Sequence, residues 1–279
     1  MIVHNFDPIF IDLGFFQIRW YSIAYIFGII LGWFYAIKII KNYINKHNIT
    51  LIKPEYFDEL IVYLILGIIL GGRLGYVIFY NFEYYSQNIF EIFELWKGGM
   101  SFHGGLIGVV VACIIFSKIK KINFFNLTDV LACVTPIGLF LGRIANFING
   151  ELYGKVSTLP WAIIFPYAGD VTRHPSQIYE AILEGIVLFI LINFIALKKR
   201  LLLKTGYVSS FFLILYSILR IFSEYFREPD IHLGYFFNYF SFPLLKFVFL
   251  PSFFSITRIM SNILAHLFPS APIRAHISI

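Results

Sequence analysis

The chain has 279 residues, of which 59% are hydrophobic and only 14% charged, and it carries a net charge of +6. Soluble domains average roughly 45–50% apolar and about 25% charged residues, so the composition excludes an ordinary soluble fold and reads as an all-α, polytopic membrane protein. In such a chain the positive charge reflects orientation rather than nucleic-acid binding. Cys113 and Cys133 lie inside apolar runs without metal-ligand spacing, which argues against a disulfide framework or a zinc site.

Apolar runs of the length a bilayer core requires predict spans at about 17–38, 58–80, 101–118, 127–148, 176–197, 206–226 and 236–257. No soluble domain or linker interrupts them, so residues 1–279 read as a single integral membrane domain. Met1–Phe10 lacks the basic leader and cleavage site of a removable signal peptide. Lys38, Lys41, Lys46 and Lys53 follow the first span, Lys118, Lys120 and Lys121 the third, and Lys198, Lys199, Arg200 and Lys204 the fifth. The alternate gaps are acidic or mixed, and the positive-inside rule then places the N-terminus outside and the end of a seventh span inside.

In that orientation the ionisable groups converge on one half of the membrane. The first span enters with Arg19, Trp20, Tyr21 and Tyr25, and the second ends near Arg73 within Gly71-Gly72-Arg73-Leu74-Gly75-Tyr76. The third opens with Ser101-Phe102-His103-Gly104-Gly105-Leu106-Ile107-Gly108. Gly142–Gly154, reading G-R-I-A-N-F-I-N-G-E-L-Y-G, closes the fourth. The fifth opens with His174-Pro175-Ser176-Gln177-Ile178-Tyr179-Glu180 and Glu184 follows, while the sixth ends with Arg220, Glu224 and Arg227. Independent solvation would scatter such groups over both halves, so the pattern predicts one outward-facing polar cavity.

An arginine and two asparagines inside an apolar run are costly against hydrocarbon. Arg143, Asn146 and Gly150 fall at i, i+3 and i+7 and therefore share a helix face. Arg143 and Arg220 suit the two oxygens of a phosphate and predict a clamp for a lipid phosphate. The alternative is that each pairs with a helix carboxylate, as Arg220 can with Glu224, and only holds the bundle together. His103 can accept a proton near neutral pH; read structurally, it is an interfacial hydrogen-bonded residue. Gly104-xxx-Gly108 alone signals close helix packing. Arg73 pairs with Glu94 or with a headgroup, and Glu151 orients a ligand or partners Arg143. Ser101 projects away from His103 on a helix, which disfavours a serine hydrolase. The residues alone thus give an outward-facing site for an anionic lipid, with a histidine able to act as base. The rival is a transporter or binding protein for anionic lipids or metabolites, for which Asp129 is the main polar group in the inner half.

These stretches resemble the bacterial phosphatidylglycerol–prolipoprotein diacylglyceryl transferases. The resemblance rests on Gly142, Arg143, Asn146, Phe147, Asn149, Glu151 and Gly154, on Trp20-Tyr21, on the glycine-flanked Arg73 and His103 stretches, on Arg173–Glu180 and on Arg220…Glu224…Arg227-Glu228-Pro229-Asp230, in order over about residues 17–235. It implies a seven-span enzyme of the bacterial inner (cytoplasmic) membrane, with its N-terminus periplasmic and its C-terminus cytoplasmic. Such an enzyme moves the sn-1,2-diacylglyceryl group of phosphatidylglycerol to the thiol of the lipobox cysteine in a prolipoprotein signal peptide, and glycerol phosphate leaves. No cofactor or metal is implied. By resemblance His103, Arg143 and Arg220 are catalytic, and Arg143, Arg220, Tyr21, Asn146, Glu151 and Arg73 meet the headgroup. Gly104, Gly105, Gly108, Asn149, Gly154, Glu224 and Arg227 are supporting. After Asp230 the chain departs from the family: Phe236–Phe254 is aromatic-rich and broken by Pro243, Lys246 and Pro251, and 258–279 form an atypical tail.

Overall fold

The computed structural model describes residues 2–14, 17–47, 52–95 and 98–228, with the side chains of 44–47 left aside. The seventh predicted span at about 236–257 and the tail at 258–279 lie outside the described residues. Helices are α1 (Trp20–His47), α2 (Pro54–Tyr80), the short α3 (Phe82–Gln87), α4 (Phe102–Lys120), α5 (Phe124–Ile148), α6 (the continuous helix Ser176–Lys198) and α7 (Tyr207–Glu224). All but α3 are long and apolar enough to cross a bilayer, which makes the chain a polytopic membrane protein with six such helices among the described residues.

Local chemistry sets the helix starts. Pro54 opens α2 with its φ already helical. The Ser101 hydroxyl accepts from Gly104 N at 3.2 Å, and Asn123 Oδ1 accepts from Phe125 N at 2.8 Å. The start of α7 is capped from a neighbour: the Asp129 carboxylate on α5 accepts from Gly206 N at 2.6 Å and from Ser209 N at 2.7 Å. Asp129, 1% exposed, is thereby a cap and not part of a path across the inner half. The sixth predicted span therefore starts where that cap puts it, at Tyr207.

Two kinds of packing divide the bundle by depth. At the lysine-rich end, Ile39, Ile40, Phe57, Leu60, Phe116, Leu127, Leu188, Ile192 and Leu202 form an apolar core buried to 3% exposure or less. Toward the other end α2 and α4 interlock through glycines. A Cβ at Gly67 would lie 2.6 Å from the Gly108 carbonyl oxygen, one at Gly75 would lie 2.6 Å from Gly104 Cα, and those at Gly71, Gly104 or Gly108 would overlap the facing backbone. Backbone contact of this kind is how small residues associate helices in lipid.

The all-α expectation needs one amendment, because short strands tie the loops at the end away from the lysines. β2 (Ile9–Asp12) and β3 (Gln17–Arg19) form an antiparallel hairpin, so α1 begins at Trp20, three residues after the predicted start at 17. β1 (Ile2–Val3) runs parallel to β4 (Ile163–Ile164), which pairs antiparallel with β5 (Thr172–Arg173). The N-terminal strand is thus on the same side as the loop between α5 and α6, the parity that an alternating six-helix path requires.

Candidate active site

Four charges from three helices form the centre of the site. Arg143 stands on α5, Glu180 and Glu184 stand one turn apart on α6, and Arg220 stands on the last part of α7. Glu180 reaches Arg220 NH1 with Oε1 at 2.6 Å and Arg143 Nε with Oε2 at 2.9 Å. Glu184 touches the same pair more loosely, Arg220 NH1 at 3.2 Å and Arg143 NH2 at 3.3 Å. Each carboxylate therefore bridges both guanidinia, two charges of each sign in a closed box. Both glutamates are 0% exposed, and Glu184 sits in a π-helical stretch, Ala181–Val187, a distortion frequent at functional sites. Ser223 Oγ donates to Glu184 at 3.2 Å, and Tyr216, one turn before Arg220, lies within the field of all four charges.

The two arginines are not equivalent. Arg220 has a third carboxylate, Glu224, at 2.7 Å from NH2. Among the described residues Arg143 has only the Asn146 amide oxygen beyond the box, at 3.5 Å from NH1, the limit of a hydrogen bond. Its side chain is also the more accessible, 17% against 10%.

Above the box lies a polar rim built by the end of α5. Asn146 donates to Glu151 Oε1 at 2.7 Å and Asn149 donates to the same atom at 3.4 Å. Gln177 Nε2 holds the Glu151 carbonyl at 2.6 Å and Ser176 Oγ the Leu152 carbonyl at 2.9 Å, which fastens the loop to the first turn of α6. From α1, Tyr25 packs against Tyr21 with ring centroids 5.1 Å apart and lies within the field of Glu151 and Arg143. Gly154 lets the loop pass between two neighbours: a Cβ there would lie 2.6 Å from both His174 O and Phe226 O. His174, outside the membrane-spanning helices, is held below the usual histidine range by burial and by nearby Lys155. No group of three or more His, Cys, Asp or Glu side chains able to hold a metal occurs among the described residues.

A protein-family model described as "Prolipoprotein diacylglyceryl transferase" matches residues 8–267. The chain belongs to this family. Among curated relatives it is 48% identical over 238 residues to the phosphatidylglycerol–prolipoprotein diacylglyceryl transferase of Rickettsia bellii, covering 85% of this chain and 89% of the relative. The enzymes of the same name from Rickettsia typhi and Rhodopseudomonas palustris are each 49% identical, over 84% and 82% of this chain and 89% and 81% of theirs.

Within this diacylglyceryl transferase the expected site residues separate into three groups. Arg143, Arg220, Glu224, Asn146, Asn149, Glu151 and Tyr21 come together at the box and rim, and Gly154 shapes the loop above them. Arg73, expected at the headgroup, is not among the residues at the box and rim. It is 3% exposed, and its five N–H groups reach five loop carbonyls: Ile92, Gly98, Gly99, Glu91 and Glu94. A guanidinium has five donors, and all five are directed at this loop. Gly104 and Gly108 belong to the interlock with α2. Gly105 does not; its nearest neighbour would be Ile68 O at 3.7 Å.

His103 stands exposed at the start of α4, its ring edge-on to Phe102 at 5.7 Å. It makes no hydrogen bond to another of the described residues. Arg227 is buried beside Gly154, with which it forms an antiparallel bridge. Glu180 and Glu184, the true partners of both arginines, stand outside the expected site set. Their signal was present, because two glutamates four apart in an otherwise apolar span need cationic neighbours.

Proposed function

We propose that the Arg143–Arg220 box is the phosphate end of a site where a diacylglyceryl group leaves phosphatidylglycerol for a prolipoprotein thiol. Diacylglyceryl transfer to prolipoproteins, the first step of lipoprotein maturation, is the reaction of this family. The observation that carries the site assignment is the accessible edge of Arg143, set between a buried ion-pair box and the Asn146–Glu151 rim. In this reading Arg143 takes the lipid phosphate, while Arg220, enclosed by three carboxylates, keeps the box in register. Asn146, Glu151 and Tyr21 direct the glycerol headgroup.

The nucleophile is the substrate's lipobox cysteine, so the enzyme needs no thiol of its own and buried Cys113 and Cys133 take no part. A thiol of pKa about 8.5 is mostly protonated at neutral pH and needs a base. His103, exposed at the same end of the bundle, accepts that proton. The sulfur attacks the glyceryl carbon that bears the phosphate ester, the C–S bond forms and the C–O bond breaks. The electron pair leaves with glycerol phosphate, whose growing charge Arg143 stabilises.

The alternation of lysine-rich gaps supports an inner-membrane enzyme with a periplasmic N-terminus and site. We propose that the described spans form one integral membrane domain. The test uses purified protein, phosphatidylglycerol micelles and a lipobox peptide, following glycerol phosphate release and the peptide's mass gain. Release that needs the peptide cysteine and is lost in folded Arg143→Ala and His103→Gln proteins is the expected result. Lipid binding without release would favour a transport or binding role.

A further inference from the structure

We propose that Glu180 is the positioning residue of the arginine pair; this rests on the reading that Arg143 takes the lipid phosphate. Among the described carboxylates near the box, Glu180 is the one whose separate oxygens hold the two guanidinia closely, at 2.6 Å and 2.9 Å. Glu184 touches both at 3.2–3.3 Å and shares Oε1 with the Ser223 hydroxyl, while Glu224 pairs with Arg220 at 2.7 Å. The separation of the two guanidinia is therefore set by the width of one carboxylate. Glu180 is fully buried on α6, beside Ala181 and two turns before Leu188, both also 0% exposed. Its backbone gives a fixed reference, and the carboxylate transmits that reference to α5 and α7.

The nature of the contact to Arg143 matters. Glu180 Oε2 lies 2.9 Å from Arg143 Nε, yet it has no aligned hydrogen bond. Charge therefore holds the guanidinium at Glu180, while NH2 and NH1 direct its plane toward Glu184 and Asn146. The box also makes geometry more important than net charge. Two arginines face Glu180, Glu184 and Glu224, so the incoming anion meets cations that are already more than balanced. Its affinity must come from directional N–H groups aimed at its oxygens.

Charge balance and positioning predict opposite results for Glu180→Gln, which makes the proposal testable. If Glu180 only neutralises charge, the amide leaves the box one unit more positive. Phosphatidylglycerol should then bind more tightly, with KM lower and kcat unchanged. If Glu180 positions, the new NH2 faces a guanidinium donor against donor and displaces one arginine. The expected result is kcat at least tenfold lower, with no fall in KM. Glu180→Asp keeps the charge but is one methylene too short to reach both guanidinia, so it should also lose kcat. Glu184→Gln should lose less than Glu180→Gln.

The assay is steady-state glycerol phosphate release from phosphatidylglycerol micelles with a lipobox peptide, normalised to the folded fraction from gel filtration and thermal melting. A folded Glu180→Gln protein with kcat within twofold of wild type, or with lower KM alone, overturns the inference and leaves the site reading standing. If Glu180→Gln does not fold, Glu180→Asp decides by the same criterion. Failure of both to fold while Glu184→Gln folds makes Glu180 a bundle staple and also overturns it. Wild-type protein that releases no glycerol phosphate removes the reading of the site, and this inference with it.

Discussion

Arg143 and Arg220 look alike in the sequence and have different surroundings in the fold. Removing one partner of a buried pair typically costs about 3–5 kcal/mol because the other charge is left uncompensated. Arg220→Ala strands three carboxylates and Arg143→Ala only two, each with Arg220 still in reach. We therefore expect Arg220→Ala to lower the melting temperature in detergent more than Arg143→Ala, while Arg143→Ala abolishes glycerol phosphate release in protein that still folds. Arg73 gives a matching residue-scale prediction. Lysine offers three donors on a flexible stem in place of a planar fork, so Arg73→Lys leaves loop carbonyls unmet. A loss of about 2–3 kcal/mol, the order of a lost charged hydrogen bond, should appear as a lower melting temperature, with kcat per folded molecule nearly kept. The sequence marked Arg73 as unusual but could not show its partners, which are carbonyls supplied by chain 18–26 residues downstream. Gly98 and Gly99, at φ +79° and +80°, were the visible trace of that loop turning back.

At the scale of elements, the spans were legible and their faces were not. Hydrophobic runs located all six described helices to within four residues at every boundary but one, because bilayer thickness fixes length; α1 runs on to His47, nine residues past the predicted 38. Which side of each helix meets a neighbour depends on shape, and here shape lies in glycines whose spacing alone is a weak signal. The α2–α4 interlock makes the difference measurable. Gly108→Ala pushes a methyl into the Gly67 carbonyl and should cost about 1–3 kcal/mol, the usual range for overpacking. Gly105→Ala meets nothing closer than Ile68 O at 3.7 Å and should stay within about 0.5 kcal/mol of wild type. Paired thermal melts in one detergent decide it, and equal losses would remove the interlock as a stabilising feature. The cap on α7 belongs to the same scale. Asp129→Ala should cost about 1–2 kcal/mol, at the upper end for a lost N-cap.

At the scale of the whole molecule, the site end is closed by segments distant in sequence: residues 2–4, the 149–175 loop and residues 225–228. His4, 5% exposed, stacks on Phe165 at 5.2 Å and its Nε2 lies 2.6 Å from the Phe147 carbonyl, joining the first residues to the end of α5. His174 helps to join the third segment, its ring against Phe226 at 5.3 Å and its Nδ1 3.2 Å from the Tyr179 hydroxyl. Trp161 donates to that hydroxyl at 2.8 Å, so Tyr179 can give its own proton to a neutral imidazole. The fold depresses the His174 pKa, so below about pH 6.5 the unfolded chain binds more protons than the folded one. This contribution to stability is present above that pH and is lost as pH falls toward the folded value. Melting temperature measured from pH 7.5 to 5 should fall on the acid side, and His174→Gln should flatten that fall. None of this closure was visible in the sequence, because strands of two residues leave no periodicity to read.

The pairing of Ile2–Val3 with Ile163–Ile164 also has a consequence for the order of assembly. The first strand leaves the ribosome about 160 residues before its partner. At the usual synthesis rate of roughly 5–20 residues per second, it waits on the order of 10–30 s while four helices enter the bilayer. Residues 2–3 therefore find their place only after the fourth spanning helix has entered, ahead of α6 and α7.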